Sequence, residues 1–530
     1  MKKGKIKQIM EKINLKKILN NRTNLMLLGI LAVGLLIRII FLYYFKDTVY
    51  FNPLLMDKHD QKTFMLWAQQ IIKHPVYVDG NIFYMTPLYP YFLALLYKAF
   101  FSNLNLVIFF QLLMNTFLSF LLFYIGKKIY NEKVGLIAAF LSVFYRTSIV
   151  YASSVLSDSL IYFLFILFIV LIFYALEKPN ISRWVWSGIV LGLAALSKPT
   201  IAIYLPFLLL GLYLYPQKKL LPTKGSVKFQ PIFVMLILLV VSGITILPIT
   251  LRNYFVGGEI VPICTNGLVN WQIGNSADSI GLFYYPKGEL LSPLSFAFWK
   301  LFFMKLGLFF TSYEWPQNLD MYLLDKVIPF IRVAFVKFGF VFPLGMGGLI
   351  VLSIKNFKRN FIFASYSIIN VVWVTLFFIV DRFRLPAVGC FTVLSAYFIV
   401  WSIEKFKAKK VLIPILVWLG VGGFSSLFNI IPGPLIPKVS FETFAGLSVK
   451  NIEYALLKRD LDDGYRKAKA YYDFMPGDFR SNFMLACILA DMGKKEAATY
   501  YLEETIRINP GFEPAYKFLS DLQFSKRNFN

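Results

Sequence analysis

The ionisable residues with the clearest chemical potential lie at the ends of long apolar runs. Asp57 and Asp60 follow the first run, Asp158 opens a later one, and Lys198 separates two others. Charged groups at or beside membrane depth are costly, so they are functional candidates by default. A carboxylate can take up a proton, and an ammonium group can hold a phosphate. These residue types therefore indicate a site at which a proton is moved beside a bound phosphate.

Three arginines extend this set of candidates. Arg252 begins a long loop, and Arg382 and Arg384 belong to the sequence DRFRLP. Each charged residue also has a structural explanation, because a carboxylate can cap a helix and a long cationic side chain can reach lipid headgroups. The two explanations are compatible, since a residue that caps a helix can still react. The sequence contains no recognisable nucleotide-binding motif. Lys198 and the three arginines are the cations that could hold a phosphate.

The elements that must position these residues are predicted to be membrane-spanning helices. A spanning helix needs about 17–25 mostly apolar residues. Two further apolar stretches, 86–101 and 294–313, contain prolines or interspersed Lys, Tyr and Trp and are more typical of interfacial helices. Eleven stretches meet the length and composition of a span, namely 24–43, 105–126, 133–152, 158–176, 183–197, 200–215, 231–250, 329–353, 361–380, 385–403 and 411–429.

The distribution of Lys and Arg predicts the orientation. With the N-terminus inside, the inner segments contain 24 Lys and Arg, whereas the outer loops 44–86 and 251–328 contain only 9, against 10 acidic residues. Short cytoplasmic loops collect cations. This orientation makes 1–23 a basic cytoplasmic tail and brings the candidate residues together on the outer face. We therefore expect a multi-pass protein of the cytoplasmic membrane with its site and C-terminal part outside.

The composition agrees with a membrane protein and excludes a soluble nucleic-acid binder. The 530 residues have a net charge of +26, yet 58% are hydrophobic and only 16% are charged. Soluble domains are about 45–50% apolar and about 25% charged. The basic charge is therefore explained by topology, and no nucleic-acid partner is expected. His59, His74 and the three scattered cysteines match no metal-ligand spacing, so no metal ligands are assigned.

The C-terminal part, 445–530, has the composition of a soluble domain. Pro476 and Pro510 are 34 residues apart, which is the tetratricopeptide period, and the small and apolar positions of 479–512 fit that repeat. Such repeats stack antiparallel helix pairs. A docking surface for a protein or peptide partner and a cover for the membrane domain are both compatible with this pattern. The expected fold class is all-α: a polytopic membrane helical bundle of about eleven spans plus interfacial helices, with an α-helical repeat domain.

Several segments of the predicted transmembrane core, 24–430, together resemble the GT-C class of polytopic membrane glycosyltransferases, which includes the protein O-mannosyltransferases and the lipid A aminoarabinose transferases. The resemblance covers about residues 24–405. The order, spacing and shared outer location of these segments carry the resemblance, since each alone is short. The segments are DKHDQKTFMLWA, YMTPLYPYFLALLYKAF, VLSDSLIYF, GLAALSKPT, LPITLRNYF, NGLVNWQIGNSADSIG and DRFRLP.

The resemblance implies transfer of a sugar from a polyprenyl-phosphate donor to an acceptor on the outer face. It implies that Asp60, with Phe64 and Ala68 at the matching offsets, is the base that activates the acceptor hydroxyl; Asp57 fits less well. Asp158 matches the second acidic position, which orients the acceptor or binds a divalent ion. Relatives often have a second acid directly after the first. Here that residue is Gln61, so a divalent cation is possible but not certain.

The long loop also suggests a place for the sugar. Asn270 and Asn275 could line a sugar pocket, together with Asn266 and Gly274, although turns are commonly rich in Asn and Gly. Two other functions remain open: an O-antigen ligase or polymerase, and a lipid-linked glycan flippase or other transporter. A ligase would concentrate its functional loop late in the membrane domain, and a transporter would keep charged groups near the bilayer midplane. An inactive scaffold for the repeats is a third alternative.

Overall fold

The structure, a computed structural model, describes residues 21–51, 53, 60–76, 78, 80–216, 220–221, 230–430, 448–449 and 452–527. Within these ranges the regular structure is helical, and β-pairing is limited to isolated bridges. The all-α fold class is therefore confirmed. The tail 1–20, Asp57 and His59 lie outside the described residues, so the predictions for them stay predictions.

The apolar region forms a bundle of α-helices, which are connected by the loops predicted from the sequence. In chain order the helices are α1 (Arg22–Phe45), α2 (Asp60–Lys73), α3 (Leu88–Ala99), α4 (Leu104–Ile129), α5 (Glu132–Val143), α6 (Arg146–Ala152), α7 (Asp158–Glu177), α8 (Ile181–Ser197), α9 (Leu205–Leu214), α10 (Gln230–Gly257), α11 (Gly267–Asn275), α12 (Phe296–Phe310), α13 (Met321–Val327), α14 (Phe338–Ile354), α15 (Phe357–Leu376), α16 (Leu385–Lys407) and α17 (Leu412–Ile430).

Most of the predicted spans correspond to apolar helices. By length and composition, α1, α4, α7, α10 and the segment Arg382–Lys407, which contains α16, could each cross a membrane. Four shorter helical segments are also apolar: α8, Pro199–Leu214, α14 and most of α17. The two stretches expected to be interfacial form α3 and α12, which are shorter than a span.

The predicted span 133–152 is interrupted. It forms α5 and α6, because backbone pairing at Phe144 and Arg146 replaces the helical ladder: Val336 N donates to the Phe144 carbonyl at 3.1 Å, and Arg146 N donates to the Val336 carbonyl at 3.1 Å. The predicted span 329–353 likewise begins as a 3-10 helix at Pro329–Val333, and its α-helix starts only at Phe338. The segment 361–380 becomes α15, which ends at Leu376.

Glycines allow α8 and α10 to pack closely. A Cβ atom added at Gly192 would lie 2.5 Å from Thr245 Cβ, and one added at Gly188 would lie 2.8 Å from Val241 Cβ. Contacts this short exclude a larger residue unless the helices move apart. The GxxxG pattern of this segment therefore serves helix packing. It holds α8 so that Lys198, directly after it, reaches the same end of the bundle as Asp158.

From Leu461 to Arg527, the described residues form four amphipathic helices: α18 (Leu461–Phe474), α19 (Phe479–Asp491), α20 (Lys495–Ile508) and α21 (Glu513–Arg527). Leu485, Ala486, Ala498 and Leu502 are buried where α19 and α20 meet. Gly493, in the turn between them, has φ = 77°, a conformation that favours glycine. The short helices and tight turn agree with stacked helix pairs, and the tetratricopeptide assignment stays a prediction.

Candidate functional site

A cavity of about 330 Å³ opens where the helix ends predicted to carry the site converge. Four predicted site residues with charged side chains line it: Asp60, Asp158, Lys198 and Arg382. Asn270, predicted for the sugar pocket, is a fifth lining residue. A volume of this order is at the lower end of the range for small-molecule sites.

Arg382 joins the two carboxylates. Its Nη2 donates to Asp60 Oδ2 at 3.0 Å, and its Nη1 donates to Asp158 Oδ2 at 3.3 Å. The guanidinium fork can serve two carboxylates at once. Asp158 is 3% exposed and the Asp60 side chain is 32% exposed. Asp60 is therefore the carboxylate that a second molecule can approach.

Both carboxylates begin helices. Asp60 is the first residue of α2 and Asp158 the first of α7, so each carboxylate lies near the partial positive charge of a helix N-terminus. The side chain of Ser157, the N-cap of α7, makes no capping hydrogen bond, and the Asp158 carboxylate instead accepts from Arg382. The contact of Asp158 is thus directed toward the cavity rather than toward its own helix.

An irregular segment of the second large loop completes the surroundings of Asp60. Asn318 Nδ2 donates to Asp60 Oδ2 at 2.8 Å, and Arg382 Nε donates to Gln317 Oε1 at 3.1 Å. Asn318 has φ = 64°, which asparagine adopts more readily than most residues. Neither residue was identified from the sequence, where only Asn and Gly residues earlier in this loop suggested a place for the sugar.

The backbone of Lys198 is not helical, because a proline follows it. The ring of Pro199 disfavours helical angles at the preceding residue, and Lys198 is extended, with φ = −157° and ψ = 100°. Its ammonium group lies 3.7 Å from the centre of the Phe383 ring. Burial and, to a smaller extent, the positive charge of Arg382 lower the pKa of Lys198 to about 8, and the negative charge of Asp158 opposes both.

The remaining cavity wall is aromatic and amide-rich. Tyr84 and Tyr285 bring phenol rings, and Asn266 and Asn270 bring side-chain amides. Aromatic faces and a few amide donors are suited to a polyhydroxylated ligand beside a phosphate. Asn266 and Asn270 were singled out in the sequence, whereas the two tyrosines were not.

Arg252 does not line this cavity. Its guanidinium donates to the carbonyls of Val76 at 2.8 Å, Val78 at 2.7 Å and Asn81 at 2.6 Å, and stacks over the Phe83 ring. The first loop is therefore anchored to the end of α10 by this residue. The expected contact of Arg252 with a donor phosphate is not supported by this geometry.

Arg384 is also directed away from the cavity. It is fully buried, and it donates to the carbonyls of Leu308 at 2.8 Å and Tyr313 at 2.9 Å, at and just beyond the end of α12. A cation at a helix C-terminus satisfies carbonyls that have no helical partner. This geometry does not support the predicted contact of Arg384 with a phosphate, although Arg384 belongs to the same short segment as Arg382.

Asn275 is buried and does not line the cavity either. Its Oδ1 accepts from Lys305 Nζ at 2.8 Å, and its Nδ2 donates to the Leu376 carbonyl at 2.9 Å. Lys305 Nζ also donates to the carbonyls of Gly274 and Phe377, both at 2.9 Å. Asn275 thus helps to hold α11, which forms a wall of the cavity, and is not itself available to a sugar.

Buried hydrogen bonds of Asp381 hold the backbone of Arg382. Asp381 Oδ1 accepts from Tyr151 Oη at 2.7 Å and from the Arg382 backbone N at 2.6 Å. Burial raises the pKa of Asp381 well above its ordinary value, the charge of Glu314 adds to this, and the Tyr151 hydrogen bond opposes it. This network fixes the backbone from which the Arg382 side chain extends.

The described residues at this site show no ready-made set of ligands for a divalent cation. In the described part of the chain, no three His, Cys, Asp or Glu side chains converge as metal ligands. The two carboxylates that could begin such a set, Asp60 and Asp158, already share the Arg382 guanidinium. A positive charge is thus present between them without a metal.

The family of dolichyl-phosphate-mannose-protein mannosyltransferases has a model that matches residues 74–246. This range includes Asp158 and Lys198 but neither Asp60 nor Arg382. No curated protein matches the chain.

Solved structures with similar helices include the Archaeoglobus fulgidus oligosaccharyltransferase in complex with Zn and sulfate, at 14% identity and a TM-score of 0.45, covering 76% of this chain and 52% of that one. Another is the archaeal oligosaccharyltransferase AglB from Archaeoglobus fulgidus with an inhibitory peptide and a dolichol-phosphate, at 14% identity and a TM-score of 0.43, with 76% and 55% covered. The chain spans about half the length of these structures. The family match confirms the resemblance to the GT-C class of polytopic membrane glycosyltransferases that the sequence predicts.

Proposed function

We propose that this protein is an integral-membrane glycosyltransferase that moves a sugar from a polyprenyl-phosphate donor to an acceptor on the outer face of the membrane. The observation that carries the proposal is the contact of Arg382 with both Asp60 and Asp158 inside a cavity that also contains Lys198. Carboxylates and cations are the groups needed to activate a hydroxyl and to release a phosphate.

Asp60 acts as the general base. Its carboxylate is the more exposed of the two, and Arg382 and Asn318 hold its Oδ2. The acceptor hydroxyl gives its proton to Asp60 as its oxygen attacks the anomeric carbon. Asp158, nearly buried, keeps Arg382 in position and balances its charge.

Lys198 and Arg382 stabilise the departing lipid phosphate. As the bond between the anomeric carbon and the phosphate oxygen breaks, negative charge grows on that oxygen, and preorganised cations lower the energy of this state. A cavity of about 330 Å³ suits one sugar with its phosphate better than a long glycan. One displacement by a hydroxyl inverts the anomeric configuration.

The positions of the charges favour this function over transport. Asp60 and Asp158 start helices, Lys198 follows one and Arg382 precedes another. These charges therefore gather at one end of the bundle, whereas a transporter is expected to hold them near the midplane. The proposed site is accordingly open to one face of the membrane.

The test is transfer from radiolabelled polyprenyl-phosphate monosaccharides by purified full-length protein. Asp60→Asn should reduce transfer by roughly 100-fold or more, since general-base catalysis contributes about 10²–10⁴-fold, and should leave donor binding measurable. Asp47→Asn is the matched control, because that side chain is 79% exposed and outside the cavity.

Full activity in Asp60→Asn would remove Asp60 from the mechanism. Failure of the wild-type protein to consume any polyprenyl-phosphate sugar, in a panel of common hexoses and aminosugars, would contradict the function itself.

A further inference from the structure

A second polar cavity, of about 240 Å³, lies at the opposite end of the helix bundle. The ends of α4, α7 and α9 and the start of α15 surround it. The helix α7 runs from Asp158 at the candidate site to Glu177 in this cavity, and its 20 residues span about 30 Å at 1.5 Å per residue. The two cavities are therefore on opposite faces of the membrane domain.

The charged lining of this cavity consists of two cations and one carboxylate: Lys128, Arg359 and Glu177. Lys128 Nζ lies 2.6 Å from Glu177 Oε1, so these two charges balance each other. Among the described residues, the Arg359 guanidinium forms no ion pair. The cavity thus has an excess positive charge, contributed by Arg359.

A phenol group beside Arg359 can add to the binding of an anion. It belongs to Tyr215, which lines the cavity directly after α9. Asn360 also lines the cavity, but its side-chain amide already donates to the carbonyls of Leu352 and Lys355. Arg359 belongs to the first turn of α15, whose N-cap, Asn356, forms no capping hydrogen bond through its side chain. The positive end of this 20-residue helix therefore acts in the same direction as the guanidinium.

The cavity also has apolar walls and lies between apolar helices of the bundle. Ile129, Phe173 and Phe363 line it on the side of the bundle. Basic pockets between membrane helices on the cytoplasmic side are suited to anionic lipid headgroups. A ligand with a phosphate ester and attached acyl chains would use both parts of this lining.

Further cations lie at the same end of the bundle but do not line the cavity. They belong to the short connections that the distribution of Lys and Arg assigns to the inner face, and basic groups near a membrane surface attract anionic lipids. These residues are Lys127, Lys133, Lys178, Arg183, Lys355 and Lys358.

We propose that this cavity binds the phosphate ester of a membrane phospholipid headgroup, with Arg359 and Lys128 contacting the phosphate. Binding joins the ends of α4, α7 and α15 and requires no sugar transfer. The shared chemistry is a phosphate ester, so a soluble ester has to be compared with the lipid.

The experiment uses the purified full-length protein in a neutral detergent. Dioctanoyl phosphatidylglycerol is titrated, and binding is followed by native mass spectrometry and by the rise in thermal-unfolding temperature. Arg359→Gln is expected to weaken binding about tenfold or more, and Lys128→Gln to weaken it less, because Glu177 already holds that ammonium group. The matched control is Lys358→Gln, which removes a neighbouring cation that does not line the cavity.

Three outcomes would overturn the proposal. Equal weakening by Lys358→Gln and Arg359→Gln would mean that diffuse surface charge, not the cavity, attracts the lipid. Equal affinity for dioctanoylglycerol, which has no phosphate, would mean that only the apolar walls bind. Equal affinity for sn-glycerol 3-phosphate would assign the cavity to a soluble phosphate ester instead of a membrane lipid.

Discussion

Arg382 donates from Nη2 to Asp60 Oδ2 at 3.0 Å, although the two residues are 322 positions apart in the chain. The contact joins the first large loop to the short 3-10 helix Arg382–Arg384 that precedes α16. The same guanidinium also reaches Asp158 at the start of α7. One side chain therefore sets the relative positions of three distant segments at the candidate site.

Arg382→Lys should keep the positive charge but lose this double contact. An ammonium group is a compact point charge and cannot reproduce the planar fork that reaches two carboxylates. A displacement of about 1 Å in a catalytic group can reduce the rate by about 100-fold, and we expect a fall of that order in kcat/KM. The measurement is steady-state transfer from the polyprenyl-phosphate donor.

The control for this substitution is Arg332→Lys. Arg332 pairs with Asp325 on an exposed surface, where its side chain is 62% exposed, and exposed ion pairs contribute about 0–1 kcal/mol to stability. Its kinetics should match those of the wild-type protein. If Arg382→Lys kept full transfer activity, charge alone would be sufficient at this position and the geometric role of the guanidinium would be wrong.

Chelation of divalent cations should leave transfer nearly unchanged. A metal at such a site would act as an electrophile or template, but here Arg382 already lies between Asp60 and Asp158. Transfer after dialysis against EDTA is therefore expected to stay within about twofold of the untreated protein. A large loss that added Mg²⁺ or Mn²⁺ restores would show that the carboxylates exchange Arg382 for a metal.

The sequence predicts which charged residues gather at one membrane face, but not the direction of each side chain. Asp60, Asp158, Lys198 and Arg382 line one cavity because membrane topology brings helix ends together whatever the details of packing. Arg384, two residues after Arg382, faces the other way and binds backbone carbonyls. That difference depends on where α12 ends in space, which no pattern of residue types encodes.

The irregular parts of the site were least accessible to sequence reasoning. Gln317 and Asn318 contact Arg382 and Asp60 from a segment without helical or strand periodicity, where residue spacing does not predict which side chains meet. The interruption between α5 and α6 has the same origin, since it depends on backbone pairing with distant Val336. Apolar length alone predicted a single span there.

Donor binding should weaken as the pH rises through about 8. Burial lowers the pKa of Lys198 to about 8, so its ammonium group is charged below that pH and neutral above it. Only the charged form provides a charge-assisted hydrogen bond to a phosphate. The KM for the donor is therefore expected to increase between pH 7 and pH 9, and KM measured across this range is the test.

Two variants separate Lys198 from other titrating groups. Lys198→Arg keeps its charge over the whole range and should have a KM with little dependence on pH, because guanidinium is always protonated in proteins. Lys178→Arg, at the other end of the bundle, should retain the wild-type profile. A pH-dependent KM that persists unchanged in Lys198→Arg would assign the titration to another residue.

Lys305 should make the folded protein more stable as the pH rises above 7. Burial lowers the pKa of this lysine from 10.5 to about 7 in the folded protein. Between these values the unfolded chain binds more protons than the folded one, so the free energy of unfolding increases with pH, by at most about 1.4 kcal/mol per pH unit. Lys305→Met should remove this contribution, and the thermal-unfolding temperature of the wild-type protein relative to the variant should rise from pH 6 to pH 9.

Lys300→Met, on the exposed side of the same helix, should leave the pH dependence unchanged. A constant difference between wild-type and Lys305→Met would mean that the ammonium group stays charged in both states, held by Asn275 and the carbonyls of Gly274 and Phe377.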